Sequence, residues 1–164
     1  MKKYKNNYNK FFTRILILLF LMSSGCSETL DYKIVRADVV KLHDKLMVDG
    51  EKAIHNKIAL DTFLVRDLPK LKDVDTAAER IKINQLVLLI DEADESMMDW
   101  MQNFKADVEG MSNEKAVEYF KSEKQKLVKM DSLYKVALVG SEAYLKKYGV
   151  QVQLANDGHD HSKH

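Results

Sequence analysis

Two pairs of residues with the same helical spacing carry the ligand chemistry of this sequence. His43 and Met47 lie four residues apart, as do Met97 and Met101, so each pair would occupy one face of a helix. If one helix ends near residue 65 and the next begins near residue 75, His43 and Met97 each lie 22 residues from the connection and face each other. Imidazole and thioether ligands suit Cu(I), and Trp100 could stack over a cation. One hypothesis is therefore a Cu(I) site formed by these four residues beside the indole.

The same residues have two other interpretations. Methionine is a common filler of helical cores, and a buried His43 could be satisfied by Asp131 on the inward face of a third helix. A haem held between His43 and a methionine would need only two axial ligands, although the sequence has no c-type attachment motif. Ordinary core packing is the interpretation that the sequence favours. His55 is expected on the outer face of its helix, exposed to solvent.

The last residues of the chain offer a second set of metal ligands. Their polar composition predicts a disordered tail over residues 149–164. Without a preformed geometry, such a tail would bind Zn, Cu or Ni weakly and unselectively, and a solvated tail without a ligand is the alternative. The histidines of this tail are His159, His161 and His164.

No pattern typical of an enzyme is present. The sequence lacks a G-x-S-x-G elbow, a P-loop, an H-E-x-x-H pair and a dinucleotide-binding glycine motif. The acidic run from Asp91 to Glu95 resembles paired carboxylates, but helical rotation directs most of them outward. The single cysteine, Cys26, excludes an internal disulfide and a cysteine-based zinc cluster. We therefore predict that the protein is not an enzyme.

The candidate residues must be positioned by helices. The chain has 164 residues, of which 46% are apolar, with one proline and six glycines, a composition typical of a single helical domain. Breaks at residues 67–75 and 110–113 separate helical patterns at about 30–66, 75–110 and 113–148. Because short connections join antiparallel neighbours, we predict an all-α fold: an elongated up-down-up three-helix bundle over residues 30–148.

The apolar residues of the first two helical patterns form continuous arcs. In the second pattern the arc has the a/d-like spacing of a coiled-coil seam, with acidic residues opposite it. In the first pattern His43 lies near the centre of the arc, and Gly50 permits a close approach of another helix or leaves room for an ion. The residues of the first helix expected to face the core are Val35, Val39, Leu42, His43, Leu46, Met47, Gly50, Ala53 and Ile54.

Residues 1–25 have the pattern of a signal peptide. Five basic residues and no acidic residue precede the apolar run Ile15–Met22, which is far shorter than the roughly 20 residues of a membrane-spanning helix. The sequence Leu-Met-Ser-Ser-Gly-Cys that ends at Cys26 resembles the lipobox of bacterial lipoproteins, although Ser23 replaces the usual leucine. By this resemblance Cys26 is acylated, for example with palmitate, and residues 26–29 form a short tether. A secretory signal with an incidental cysteine is the alternative.

Charge and anchoring together predict the location and the partners. Without residues 1–25 the chain has 21 basic and 25 acidic residues, a net charge of about −4, which is unfavourable for binding nucleic acid. An acylated Cys26 would anchor a soluble body to a membrane of the cell envelope. Ser27 supplies no acidic retention signal, which by analogy with enterobacteria favours the outer membrane.

Two segments of the helical region resemble a known group of proteins. Leu42-His-Asp-Lys-Leu-Met47 and Glu92-Ala-Asp-Glu-Ser-Met-Met-Asp-Trp-Met-Gln-Asn-Phe-Lys105 are similar to segments of small Bacteroidota lipoproteins, often labelled "viral A-type inclusion protein". The resemblance implies a helical lipoprotein and no established function. In that family the first motif reads His-Asp-Glu-Val-Met-Pro-Lys-Met, and the positions that depart from it here include Lys45, Leu46, Val48 and Gly50.

Two functions of different class follow from these patterns. The first is a structural or protein-interaction lipoprotein that binds a partner in the cell envelope. The second is an envelope protein that sequesters or passes on Cu(I) through His43 and the methionines. Core packing predicts that His43→Leu is neutral or stabilising, whereas a metal site predicts lost binding with the fold retained.

Overall fold

The computed structural model describes residues 30–152, which form three long helices with no strand among them. The helices are α1 (Tyr32–Arg66), α2 (Thr76–Asn103) and α3 (Asn113–Lys147), and a short 3-10 turn, Leu68–Lys70, lies between α1 and α2. All three helices pack against one another. The predicted all-α three-helix bundle is therefore confirmed.

Contacts between side chains give the direction of each helix. Between α2 and α3, Trp100 contacts Glu123, whereas Glu79, further back, contacts Tyr144, further on, so these helices are antiparallel. Contacts between α1 and α3 join residues whose numbers differ by 85 or 86, so these two helices are parallel: Lys45 with Asp131, Asn56 with Ser141, and Asp38 with Lys124. The order is thus up-down-up.

Each helix begins after a residue whose side chain caps its free N–H groups. Asp75 precedes α2 and accepts hydrogen bonds from the backbone N–H groups of Ala77 and Ala78, both at 3.1 Å. Asp31 caps α1 and Ser112 caps α3 in the same way. A cap of this kind stabilises a helix by about 1 kcal/mol, since it satisfies donors that have no partner within the helix. The predicted helix starts are confirmed.

The end of α2 differs from the prediction. The glycine pattern predicts an end at residue 110, but α2 ends at Asn103, and Gly110, with φ of 81°, lies in a turn of the connection. Phe104 leaves the helical conformation, with ψ of 128°, and its ring stacks on Trp100 with 4.5 Å between centroids. The predicted boundary was wrong: the chain turns at Phe104, whose ring also lies against Tyr119 and Phe120 of α3, contacts that the local sequence does not reveal.

The buried face of α1 is narrower than the predicted arc. Residues near the centre of the arc, such as Val39 and Leu46, are buried, but Met47 and Ile54 at its edge are largely exposed. A helix in a three-helix bundle buries only the sector that faces its two neighbours, so residues at the edge of the arc lie outside the core. The prediction that Met47 and Ile54 face the core was therefore wrong.

Two small residues let side chains from α2 and α3 pack closely within the bundle. A Cβ atom at Gly50 would lie 3.1 Å from the hydroxyl of Tyr134, so the missing side chain on α1 makes room for this ring. On α3, a Cβ atom at Gly140 would lie 2.9 Å from a methyl group of Leu86. Gly50 thus allows the ring of Tyr134 on α3 to approach α1 closely, and a close approach is one of the two roles predicted for this glycine.

The bundle continues beyond residue 148. Gly149 has φ of 66°, and the N–H of Val150 donates to the carbonyl of Leu145 at 3.0 Å, which is the hydrogen bond of a Schellman motif. Val150 and Val152 pack against the core. Outside the described residues lie the signal peptide expected over 1–25, Cys26 with its tether to residue 29, and the tail histidines His159, His161 and His164. Among residues 30–152, no helix is long and apolar enough to cross a membrane.

Candidate functional site: a methionine groove beside an aromatic layer

Trp100 is the centre of an aromatic layer at the end of α2. Its indole N–H donates to the carboxylate of Glu123 at 2.8 Å, and its ring stacks on Phe104. On the α1 side, the ring of His43 lies 5.5 Å from the indole, tilted by 32°. The Nδ1 atom of His43 also lies 3.1 Å from the carboxylate of Asp44. Each ring of this layer is therefore held by a neighbouring ring or by a carboxylate.

His43 does not occupy the predicted position. Its side chain is 26% exposed rather than buried at the centre of the α1 face. The carboxylate of Asp131, expected as its partner, pairs with Lys45 instead. His43 faces Trp100 rather than Met97 because helical side chains lean toward the N-terminus of their own helix, which in an antiparallel pair shifts the contact by about one turn.

The methionines line a groove between α1 and α2 with a volume of about 340 Å³. We call it the methionine groove. Three of the four predicted ligands, Met47, Met97 and Met101, line this groove. The fourth, His43, is not part of the lining. The residues that line it are Met47, Gly50, Glu51, Ile54 and His55 of α1, Asp94, Met97, Met98 and Met101 of α2, and Tyr134 of α3.

Two residues of the lining that could bind a soft metal ion, Met98 and His55, were not predicted as ligands of this site. Met98 follows Met97 directly and lies three residues before Met101, a spacing that could have indicated it. His55 was expected to be exposed on the outer face, but it is half-buried and lines the groove. Helical rotation alone does not account for the position of His55.

The four thioethers differ in their access to solvent. Met97 is 2% exposed and forms the floor of the groove, whereas Met98 is 50% exposed and Met47 and Met101 are also partly exposed. A flexible thioether side chain can reach an ion from several directions because it has three rotatable bonds. The groove thus combines one fixed thioether with three that are reachable from solvent.

The groove has an electronegative lining. Among its lining residues there are two carboxylates, Glu51 and Asp94, and no lysine or arginine. The hydroxyl of Tyr134 lies beneath Gly50, and burial, with the nearby carboxylates of Asp94 and Asp49, raises the pKa of this phenol to about 12. The phenol is therefore neutral at physiological pH, and the lining attracts cations rather than anions.

A second groove, between α2 and α3, has the opposite character. Its volume is about 670 Å³, and its lining includes the ammonium groups of Lys126 and Lys129 together with Asp99 and Trp100. Cationic side chains of this kind repel metal ions. The two grooves therefore differ in the sign of the charge that they offer.

Two buried carboxylates that the sequence analysis did not single out hold aromatic side chains. Glu123 receives the indole N–H of Trp100, and Glu79, near the other end of α2, accepts a hydrogen bond from the hydroxyl of Tyr144 at 2.7 Å. That hydrogen bond, with the one from Lys147, lowers the pKa of Glu79 from 4.5 to about 2. Glu123 lies between inward-facing apolar residues of α3, which is the one sequence signal that could have indicated its burial.

Hard-ligand metal sites are not formed in the described part of the chain. Among residues 30–152, no group of three or more histidine, cysteine, aspartate or glutamate side chains is placed to hold a metal ion. The groups of the methionine groove that can bind a soft ion are thioethers and one imidazole.

Comparisons with protein-family models, with curated proteins and with solved structures give no significant match. The two motifs that carry the resemblance to small lipoproteins lie on α1 and across the end of α2, where they contribute His43 and Trp100 to the aromatic layer. The family resemblance stays a prediction, so function is inferred from the geometry of this chain.

Proposed function

We propose that this chain is an envelope lipoprotein, anchored through an acylated Cys26, whose bundle binds a helix of another envelope protein. The observation that carries this proposal is a row of exposed apolar side chains along the outer side of α1. We call it the α1 outer row. It consists of Val40, Met47, Ile54, Ile58 and Val65.

The spacing of the α1 outer row fits a helical partner. Its members are seven, seven, four and seven residues apart, so they lie on one side of α1 over about 37 Å of its length. A partner helix that supplies apolar residues at the same period would bury this row, as in other helix-in-groove complexes. Val65, at 77% exposed, gains the most from being covered.

Charges beside the row indicate the chemistry of the partner. By helical rotation, Asp44, Glu51 and Asp61 lie within about 60° of the row. Val40, at the start of the row, shares a groove with Lys33, Arg36 and Lys41, so the acidic character belongs to the part of the row from Met47 onward. A partner helix with basic residues beside its apolar stripe would pair with these carboxylates. Such pairs add specificity and association rate more than affinity.

Photo-cross-linking in cells tests the partner interaction. A photoreactive amino acid at Ile58 or Val65 of the full-length chain should give one discrete product with a different protein, whereas the same residue at Val139 should not. Val139 is 62% exposed on α3 and is the matched control. The absence of a product at the row, equal products at Val139, or a product of two copies of this chain would each overturn the proposal.

Membrane fractionation tests the anchor separately. Cys26→Ser should move the chain from the membrane fraction to the soluble envelope fraction and abolish metabolic labelling with palmitate. Retention of the label in Cys26→Ser would overturn acylation at this residue. Met47 and Ile54 of the row also line the methionine groove, so the cross-linking positions are Ile58 and Val65, which lie outside that lining.

A further inference from the structure

We propose that the methionine groove binds one Cu(I) ion through thioether sulfurs and the imidazole of His55. The proposed ligands are Met47, His55, Met97, Met98 and Met101, which the structure places around a single groove. The groove shares Met47 and Ile54 with the α1 outer row, so a partner helix on that row would cover part of the groove. The proposed site keeps three of the ligands predicted from the sequence, replaces His43 by His55 and adds Met98.

The donor types select the ion. Thioether sulfur is a soft, neutral ligand that suits Cu(I), whereas Zn²⁺, Mg²⁺ and Ca²⁺ prefer thiolate, imidazole or several oxygen ligands. Four thioethers and one imidazole exceed the number of ligands that Cu(I) needs, so the ion could exchange between them without leaving the groove. A ligand set of this kind is typical of a site that holds and releases Cu(I).

The charge of the groove favours a cation. Neutral ligands do not compensate the charge of a Cu(I) ion, but the carboxylates of Glu51 and Asp94 lie in the same lining. Opposite charge at the rim raises the local concentration of the ion and its rate of entry. The lysine-lined groove between α2 and α3 lacks this property.

The structure gives His43 a different role from His55. His43 packs against Trp100 in the aromatic layer, and its Nδ1 atom lies beside Asp44. His55 lines the groove in which three of the methionines are open to solvent. The imidazole that could complete a thioether site is therefore that of His55.

Titration of the full-length chain with Cu(I) under anaerobic conditions, buffered by a chromophoric Cu(I) chelator, tests the proposal. We expect one equivalent of Cu(I) to be held against the chelator by the wild type. Met98→Leu/Met101→Leu and His55→Gln should each weaken binding by about tenfold or more, since loss of even an outer partner of a metal ligand costs that much. Leucine at the partly exposed positions 98 and 101 keeps the volume, so the fold is retained.

Matched controls separate this site from the rest of the chain. Met111→Leu, at a similarly exposed methionine outside the groove, and His43→Gln should bind Cu(I) as the wild type does. Replacement of Cys26 by serine, or of His159, His161 and His164 by alanine, should leave one equivalent of Cu(I) bound. In a methyl NMR spectrum, Cu(I) should shift the signals of the four groove methionines but not those of Met111 and Met130.

Four outcomes would overturn the proposal. They are failure of the wild type to hold Cu(I) against the chelator, wild-type affinity in both groove variants, loss of binding in His43→Gln, and loss of binding when only the tail histidines are replaced. A cross-linked product at Ile58 requires no Cu(I) ion, and Cu(I) binding by the isolated chain requires no partner, so the two experiments distinguish failure of one proposal from failure of the other.

Discussion

The aromatic layer and the methionine groove use the same helices and similar residue types, yet they differ in how their groups are satisfied. In the layer, the indole of Trp100 is enclosed between Glu123, Phe104 and the ring of His43. In the groove, whose α2 residues Met97, Met98 and Met101 lie on both sides of Trp100 in the sequence, three thioethers are open to solvent. Trp100 also borders the groove between α2 and α3, but its neighbours leave it only 6% exposed, whereas Met98 is 50% exposed. A side chain that could bind a ligand is structural where its neighbours bury it, and it is available where solvent reaches it.

Removal of Trp100 should have the largest effect on stability. Trp100→Ala should lower the free energy of unfolding by about 3–5 kcal/mol, since it removes a buried indole and leaves the buried carboxylate of Glu123 without this donor. Denaturant unfolding measures the loss. Met101→Ala, on the groove side of the same helix, is the control and should cost less than half as much. Equal losses would mean that the layer is no more structural than the groove.

The helices could be predicted from the sequence because the relevant signals are local. Apolar periodicity, the cap at Asp75 and the break at Pro69 each act within a few residues, and they place the helices correctly. The end of α2 could not be predicted in this way. The backbone leaves the helix at Phe104, whose ring lies against Tyr119 and Phe120 of α3, and a local periodicity contains no information on contacts so far apart in the sequence.

The candidate site could be predicted only in part for a related reason. Spacing of four residues placed Met97 and Met101 together, and the antiparallel order brought Met47 to them. Whether His43 or His55 lines the groove depends on the direction in which helical side chains lean and on the width of the buried face of α1. A helical projection of the sequence gives neither of these. The burial of Glu123 likewise depends on a donor from another helix.

Replacement of the other buried carboxylate should have the next largest effect. Glu79→Gln should cost about 1.5–3 kcal/mol at pH 7, because the carboxylate accepts hydrogen bonds from Tyr144 and Lys147. The pKa of Glu79 is lowered from 4.5 to about 2 in the folded chain, so its stabilisation is complete above pH 4.5 and is lost as the pH falls toward 2.

Unfolding of the wild type and of Glu79→Gln between pH 7 and pH 2 measures this dependence. The two free energies of unfolding should converge below pH 4.5. Glu118→Gln, at an exposed glutamate of α3, is the control and should change stability little at any pH. A difference for Glu79→Gln that stays constant down to pH 2 would contradict the assignment of the stabilisation to the ionised carboxylate.

Replacement of His43 and of His55 should have smaller effects on stability, and the two effects should differ. His43→Ala should cost about 0.5–1.5 kcal/mol, since a contact between two rings is lost, and it should alter the fluorescence of Trp100. His55→Ala should change stability by less than about 0.5 kcal/mol, as expected of a residue outside the core. Unfolding followed by tryptophan fluorescence measures both effects. The opposite ranking would assign the structural role to His55.

Gly50→Ala should have a small effect of the opposite sign, a gain in stability, and tests whether Tyr134 beside the groove can move. Alanine within a helix gains up to about 1 kcal/mol over glycine, but its Cβ atom would lie 3.1 Å from the hydroxyl of Tyr134. A tilt of the buried Tyr134 ring by a few tenths of an ångström would relieve this contact, and with such a tilt a net gain of about 0.5 kcal/mol should remain. Denaturant unfolding measures it, with Gly140→Ala, which meets the mobile methyl group of Leu86, as the comparison. A lower free energy of unfolding in Gly50→Ala would mean that Tyr134 cannot move. The groove would then be as rigid as the aromatic layer.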